Sequence, residues 1–232
     1  MKRYAHIITL TAIMQYCKMV QMITSRLSDM HEVLSSTVSN RLSQTGVSCV
    51  LSPEGPSDLK ETPFTETHTI LSLRRIYNHI YECTRILNFI FGLPILLDIF
   101  RTVTSLTSGS YSVVRLFSEP VEAVTTLNFA DFVISRVTWM LIFLGTMISL
   151  TVLCGRAASV TRDISHRVQT FLVQSHLDSE AVEQLLLFSQ QISTDGIAFT
   201  AAGFFVIDLS LLCTVLTSAV TYVIILIQFK SH

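Results

Sequence analysis

The stretch "FFVIDLSLLCTVLTSAVTYVIILIQF", Phe204 to Phe229, holds a single charged residue, Asp208. As a helix it exceeds the roughly 20 apolar residues that cross a bilayer core. A carboxylate in such a span costs a few kcal/mol unless it meets water or a partner. Asp208 lies near the start, within reach of the nearer interface, and the sequence names no basic partner for it. At about 100° per residue, Ser210, Thr214, Thr217, Thr221 and Gln228 fall within roughly one 60° sector. Ser and Thr stripes arise where helices pack closely and hydrogen-bond to neighbours. They also arise on water-facing walls, where a hydrophobic constriction gates by dewetting. The wheel alone favours packing, because one helix does not distinguish a pore from a neighbour.

The rest of the chain suits the same solvent. Of 232 residues, 50% are hydrophobic and only 14% charged, and mean hydropathy is +0.53. Soluble domains carry about a quarter charged residues. A net charge of -1 gives no reason to expect nucleic acid as a partner. The five cysteines, Cys17, Cys49, Cys83, Cys154 and Cys213, form no CxxC pair, which argues against a disulfide framework or a zinc site. The histidines are scattered, and His166 and His176 lie too far apart for an HExxH face. There is no nucleophile–base constellation, and "CGRAAS", Cys154 to Ser159, has too little glycine for a phosphate loop. The expectation is no enzyme, no cofactor and no metal.

The predicted fold is all-α. It is a polytopic membrane protein with one membrane domain, 1–232, about four spans and long helical cytoplasmic extensions. The spans are predicted near 4–23, 86–106, 130–153 and 204–229. The second contains Pro94, a kink site, and places Asp98 and Arg101 at i, i+3, close enough to pair on one face. The first is the weakest, holding His6 and Lys18. Its "MKRY" start resembles a signal peptide, but the run is broken by polar residues and no A-x-A-like site follows. Arg26, Arg41, Lys60, Arg74, Arg75, Arg85, Arg156, Arg162 and Arg167 assign 24–85 and 155–195 to the cytoplasm and both termini to the outside. Lys2 and Arg3 fall on the wrong side of that rule.

His68 to Tyr81 repeats apolar residues at 70, 71, 73, 76, 77 and 80, which predicts helix. His176 to Gln191 predicts another, with Asp178 or Ser179 as its cap. Ser43 to Thr67, rich in Ser, Thr, Pro and Gly, reads as a flexible loop. Ser105, Ser108, Ser110 and Tyr111 have the composition of an exposed loop, with a sugar-facing wall as the alternative. Trp139, at the edge of the third span, is an interfacial anchor or a pocket wall. Trp139 and Tyr111 are the ligand-contact candidates.

"TYVIILIQF", Thr221 to Phe229, resembles the T-Y-(five hydrophobic)-Q-F signature closing the last helix of insect gustatory receptors. "FFVIDLSLL" is similar to the opening of that helix, and "LNFIFGLPILL", Leu87 to Leu97, to the L-N-x-x-F-G-x-x-L-L pattern of the fifth span. "ITSRLSDMHEVL" resembles the fourth span running into the cytoplasm. The resemblance covers nearly the whole chain, as spans four to seven of a seven-helix receptor, and implies a truncated member. It further implies a homo- or hetero-tetrameric, ligand-gated cation channel in the plasma membrane, with its C-terminus extracellular and a small-molecule tastant as ligand. Membrane lipid would surround it. Gln228 and Phe229 would sit at the outward gate, with Thr214 and Thr217 on the same helix, and Thr221 and Tyr222 would position it against neighbours. The alternative is a four-span membrane protein without channel activity, an auxiliary subunit or receptor remnant.

Overall fold

The computed structural model describes the backbone of residues 2–47, 63–118, 126–174 and 179–230, with side chains for 8–39, 67–112, 131, 133–173 and 179–228. Five helices account for nearly all of it: α1 (Lys2–Val47), α2 (Pro63–Ser118), α3 (Thr126–Gln174), α4 (Ser179–Thr194) and α5 (Leu209–Lys230). Between α4 and α5 lies a short antiparallel hairpin, β1 (Thr200–Ala201) and β2 (Phe205–Val206), with Thr200 opposite Val206 and Ala201 opposite Phe205. The architecture is all-α, as expected, with this hairpin as a local addition.

Each of the three long helices carries a repeating buried row, mostly apolar. In α3 the buried positions Phe143, Leu150, Ala157, Ile164 and Phe171 recur every seven residues, as do Met147, Cys154, Thr161 and Val168. Ile13, Val20, Leu27 and Leu34 do the same in α1, and Ile70, Tyr77 and Thr84 in α2. Such spacing keeps one seam on one side of a helix over many turns. Pro94 sits inside α2 without ending it. Three helical stretches among the described residues are long and apolar enough to cross a membrane: Thr67–Ser112, Val133–Val173 and Leu209–Gln228. The described part of α1 is not among them, since Gln15, Lys18 and Gln21 dilute its apolar residues.

The chain divides into two compact units. One comprises Met1–Lys18, Leu87–Gly155 and Phe199–His232. Its core includes Tyr16, Ile95, Met147, Leu150 and Phe199. The other comprises Met19–Ile86 and Arg156–Ala198. Its core draws Leu27 and Leu34 from α1, Tyr77 from α2, Ile164 and Phe171 from α3, and Leu185 and Phe188 from α4. The helix expected at His68 to Tyr81 is part of α2, and it buries Ile70, Leu73, Tyr77 and Ile80. The helix expected at His176 to Gln191 is α4, which opens at Ser179; Asp178 lies outside the described residues.

Three local expectations change. Ser43 to Val47 and Pro63 to Thr67 are helical, at the ends of α1 and α2; the middle of that proposed loop, with Cys49, lies outside the described residues. Ser105 to Tyr111 belongs to α2 rather than to a loop. Hydroxyls there donate back to their own helix, Thr104 to the Phe100 carbonyl at 3.0 Å, Thr107 to Val103 at 2.9 Å and Ser112 to Ser108 at 2.7 Å. A polar composition is thereby absorbed without breaking the helix. Asp98 and Arg101 form no ion pair, although both sit on α2 as expected: Arg101 instead places its guanidinium carbon 4.7 Å from the centre of the Phe143 ring.

Candidate functional site

The last helix is set up by the residues before it. The chain alternates inward at Ile197, Phe199 and Ala201, turns, and returns through Phe205 and Val206 to buried Ile207. Ala202 and Gly203 both have positive φ, 52° and 77°, and Phe204 N–H donates to the Ala201 carbonyl at 3.0 Å. Two consecutive left-handed residues inside a four-residue turn are the hairpin-compatible geometry. The helix then starts at Leu209 rather than at Phe204, because Asp208 caps it: its Oδ1 accepts the Leu211 N–H at 2.9 Å. An N-cap carboxylate answers an orphan donor and meets the positive end of the helix dipole.

On α5, the described buried row is Leu211, Val215 and Ala219. Thr214, Thr217, Thr221, Tyr222 and Gln228 are all exposed. By helical geometry the stripe Thr214–Thr217–Thr221–Gln228 lies roughly 130° around the helix from the buried row. The stripe is therefore not packed against the described residues of its own chain. Two of its hydroxyls are satisfied internally, Thr214 Oγ1 donating to the Ser210 carbonyl at 2.9 Å and Thr221 Oγ1 to Thr217 at 2.9 Å, as is the neighbouring Ser218 Oγ, which donates to Thr214 at 2.8 Å. With those two protons spent on the backbone, oxygen lone pairs are what Thr214 and Thr221 offer outward. Phe229 is in the helix, but its side chain lies outside the described residues.

Of the ligand candidates, Trp139 is half-buried and lines a cavity of about 300 Å³ with Ser105, Gly109, Ser135, Arg136, Met140 and Phe143. Its ring stacks on Phe143 at 6.0 Å and 27°. The structure thus brings Trp139 and Ser105 to one wall, but Tyr111, also half-buried, is not part of it.

Contacts between segments far apart in sequence escaped sequence reasoning. Tyr16 on α1 is fully buried, tilted against Phe91 at 5.6 Å and edge-on to Phe199 at 6.4 Å, with its hydroxyl 4.0 Å from the Cys154 sulfur. Asn88 Oδ1 accepts the Thr200 N–H at 3.3 Å. These are residues of the "LNFIFG" pattern, Leu87 to Gly92, and the hairpin is what they hold. Gly196 and Gly203, with alternation between them, were the signal for that hairpin.

In the other unit, Arg74 Nε donates to Gln191 Oε1 at 3.2 Å and Nη1 to Gln184 Oε1 at 3.3 Å, while Gln191 Nε2 reaches Asn78 Oδ1 at 3.3 Å. A cavity of about 620 Å³ lies along this α2–α4 seam. Tyr77 OH closes the end of α4 by donating to the Asp195 carbonyl at 2.9 Å. Burial above all, then the neighbouring Asp195 charge, push the Tyr77 hydroxyl up to about 12, so it acts as a neutral donor.

The family described as 7tm chemosensory receptor matches residues 2–232. The candidate gustatory receptor 2a of Drosophila melanogaster is 29% identical over 193 residues, covering 76% of this chain and 44% of that protein. Gustatory and pheromone receptor 32a of Drosophila melanogaster is 30% identical over 93 residues, covering 40% of this chain and 20% of that protein. The chain thus spans less than half the length of these relatives. The insect olfactory receptor OR5 from Machilis hrabei in complex with eugenol shares the fold, with a TM-score of 0.57 at 13% identity over 98% of this chain and 70% of that one. The chain is a multi-pass membrane protein of helical fold, similar to insect gustatory receptors, and it belongs to the 7tm chemosensory receptor family.

Proposed function

We propose that the chain is a subunit of a taste receptor in the plasma membrane, a ligand-gated cation channel rather than an enzyme, assembled as a homo- or hetero-tetramer. Its spans are 4–23, 86–106, 130–153 and 204–229, with 24–85 and 155–195 in the cytoplasm and the C-terminus outside. The compact unit Met19–Ile86 with Arg156–Ala198 holds nearly the same residues as that cytoplasmic portion. The observation that carries the reading is the exposed stripe Thr214, Thr217, Thr221 and Gln228, turned away from the buried row of α5. Four copies of such a helix around an axis would line a path with hydroxyl and amide oxygens. Oxygen lone pairs suit a cation, and the aliphatic interval Val223 to Ile227 above Thr221 suits a dewetting constriction.

In this reading Gln228 lines the outward gate and Phe229 closes it. Tyr222, 55% exposed, meets a neighbouring subunit together with Thr221. A small-molecule tastant binds in the outer half, where Trp139 lines its cavity and Tyr111 stands on the same helix as Ser105. The test is expression in oocytes, alone and with a full-length family member, recording cation current during a tastant panel. Phe229→Ala is expected to raise the current that flows without tastant. An unaltered leak with an unaltered response contradicts the gate.

A further inference from the structure

Arg101 is an unusual residue for an apolar span. It lies on α2 and makes no hydrogen bond or ion pair among the described residues, and its Nη2 is buried with no partner. One face of the guanidinium rests on the Phe143 ring at 4.7 Å, a cation–π contact that holds the group without using its N–H donors. Asp98, one turn earlier, is 4% exposed and does not take up the slack. A guanidinium carries five donors in a fixed fork, and leaving those of the buried Nη2 unmade costs free energy.

Arg101 and Asp98 line one side of a cavity of about 310 Å³ whose other walls are apolar apart from Thr9, among them Ile8, Ile13, Phe91 and Ile95. That volume is at the small end of ligand sites. A sugar would bring more hydroxyls than these walls could pair, and each unmade hydrogen bond would count against it. An anion would approach Arg101 only alongside the Asp98 carboxyl group, so the acid and the base together select for no net charge.

We propose that this cavity takes an uncharged, compact, mostly apolar molecule bearing one acceptor oxygen, a ketone or similar group, which receives a hydrogen bond from the Arg101 guanidinium. The inference rests on the receptor reading and adds a second small-molecule site, separate from the cavity that Trp139 lines. Trp139, the protein's single tryptophan, is stacked on the Phe143 ring that Arg101 covers and reports on the site.

The experiment uses the full chain purified in detergent and reads Trp139 emission, so it needs no channel current and separates this proposal from the gating claim. The probe is menthone, an apolar ring with one carbonyl. Its hydrocarbon counterpart p-menthane serves as competitor, and sucrose as a polyol control. Menthone is expected to change the emission saturably, p-menthane to compete at least tenfold more weakly, and sucrose to do nothing. Arg101→Met is expected to weaken menthone at least tenfold. The p-menthane comparison needs no variant, so it holds if Arg101→Met folds poorly. No saturable menthone effect, equal competition by p-menthane, tighter binding of sucrose, or a folded Arg101→Met chain that binds menthone as before would each overturn the proposal.

Discussion

Ala202 lies so close to Gly92 that a Cβ on the glycine would stand 2.7 Å from the Ala202 nitrogen and 2.9 Å from its Cα. Backbone is on the receiving side, so a methyl group there cannot be accommodated by a rotamer change. Gly92→Ala is expected to lower stability by about 1–3 kcal/mol, as overpacking does. Gly109 offers the contrast. A Cβ there would meet Met140 Sδ at 2.7 Å, on a flexible side chain that can move. Gly109→Ala is expected to lie within about 1 kcal/mol of wild type, since alanine's helix propensity offsets the crowding. Thermal unfolding of both variants in the same detergent checks the ranking; a Gly109→Ala chain that melts below Gly92→Ala contradicts the contact.

Asp208 acts through its carboxylate oxygen at the N-cap of α5. Asp208→Ala is expected to destabilise the start of that helix by about 0.5–2 kcal/mol, and Asp208→Asn by much less, since asparagine caps comparably. Amide hydrogen exchange at Leu211 reads the difference locally. Equal protection in the two variants would show that Asp208 is held by something other than the cap.

Tyr77→Phe removes one hydrogen bond to the Asp195 carbonyl and leaves the ring contact with Phe188, at 5.8 Å, in place. The expected loss is about 0.5–1.5 kcal/mol. Because folding raises the hydroxyl's pKa from 10.0 to about 12, the folded state holds this proton more tightly. The contribution is therefore complete below pH 10 and is lost as pH rises toward about 12. Denaturation series for wild type and variant should run parallel through neutral pH and converge at the alkaline end. A gap that opens with rising pH contradicts the assignment.

The apolar runs and their periodicity made the helices legible, because burial on a 3.6-residue repeat is a local property of sequence. Ile70, Leu73, Tyr77 and Ile80 show it, each buried where the spacing put it. The polar stripe on α5 was legible for the same reason. What the sequence left open was what the stripe faces; the buried row Leu211, Val215 and Ala219 answers for this chain's own packing only. The grip of Asn88 and Gly92 on the hairpin was not readable, because the partners, Thr200 and Ala202, lie more than a hundred residues away. Asp98 and Arg101 had the right spacing for a pair, but spacing does not show that Phe143 on another helix competes for the guanidinium.

The central claim is that the hydroxyl and amide stripe of α5 borders water in the assembled receptor. Its most direct measurement replaces the native cysteines, Cys213 on α5 above all, with serine, introduces single cysteines at Thr214, Thr221 and Gln228, and adds a membrane-impermeant thiol reagent during current recording. The account predicts modification at all three positions, faster when tastant is present, with a change in current. Cysteines that stay unmodified at all three, with and without tastant, would contradict it.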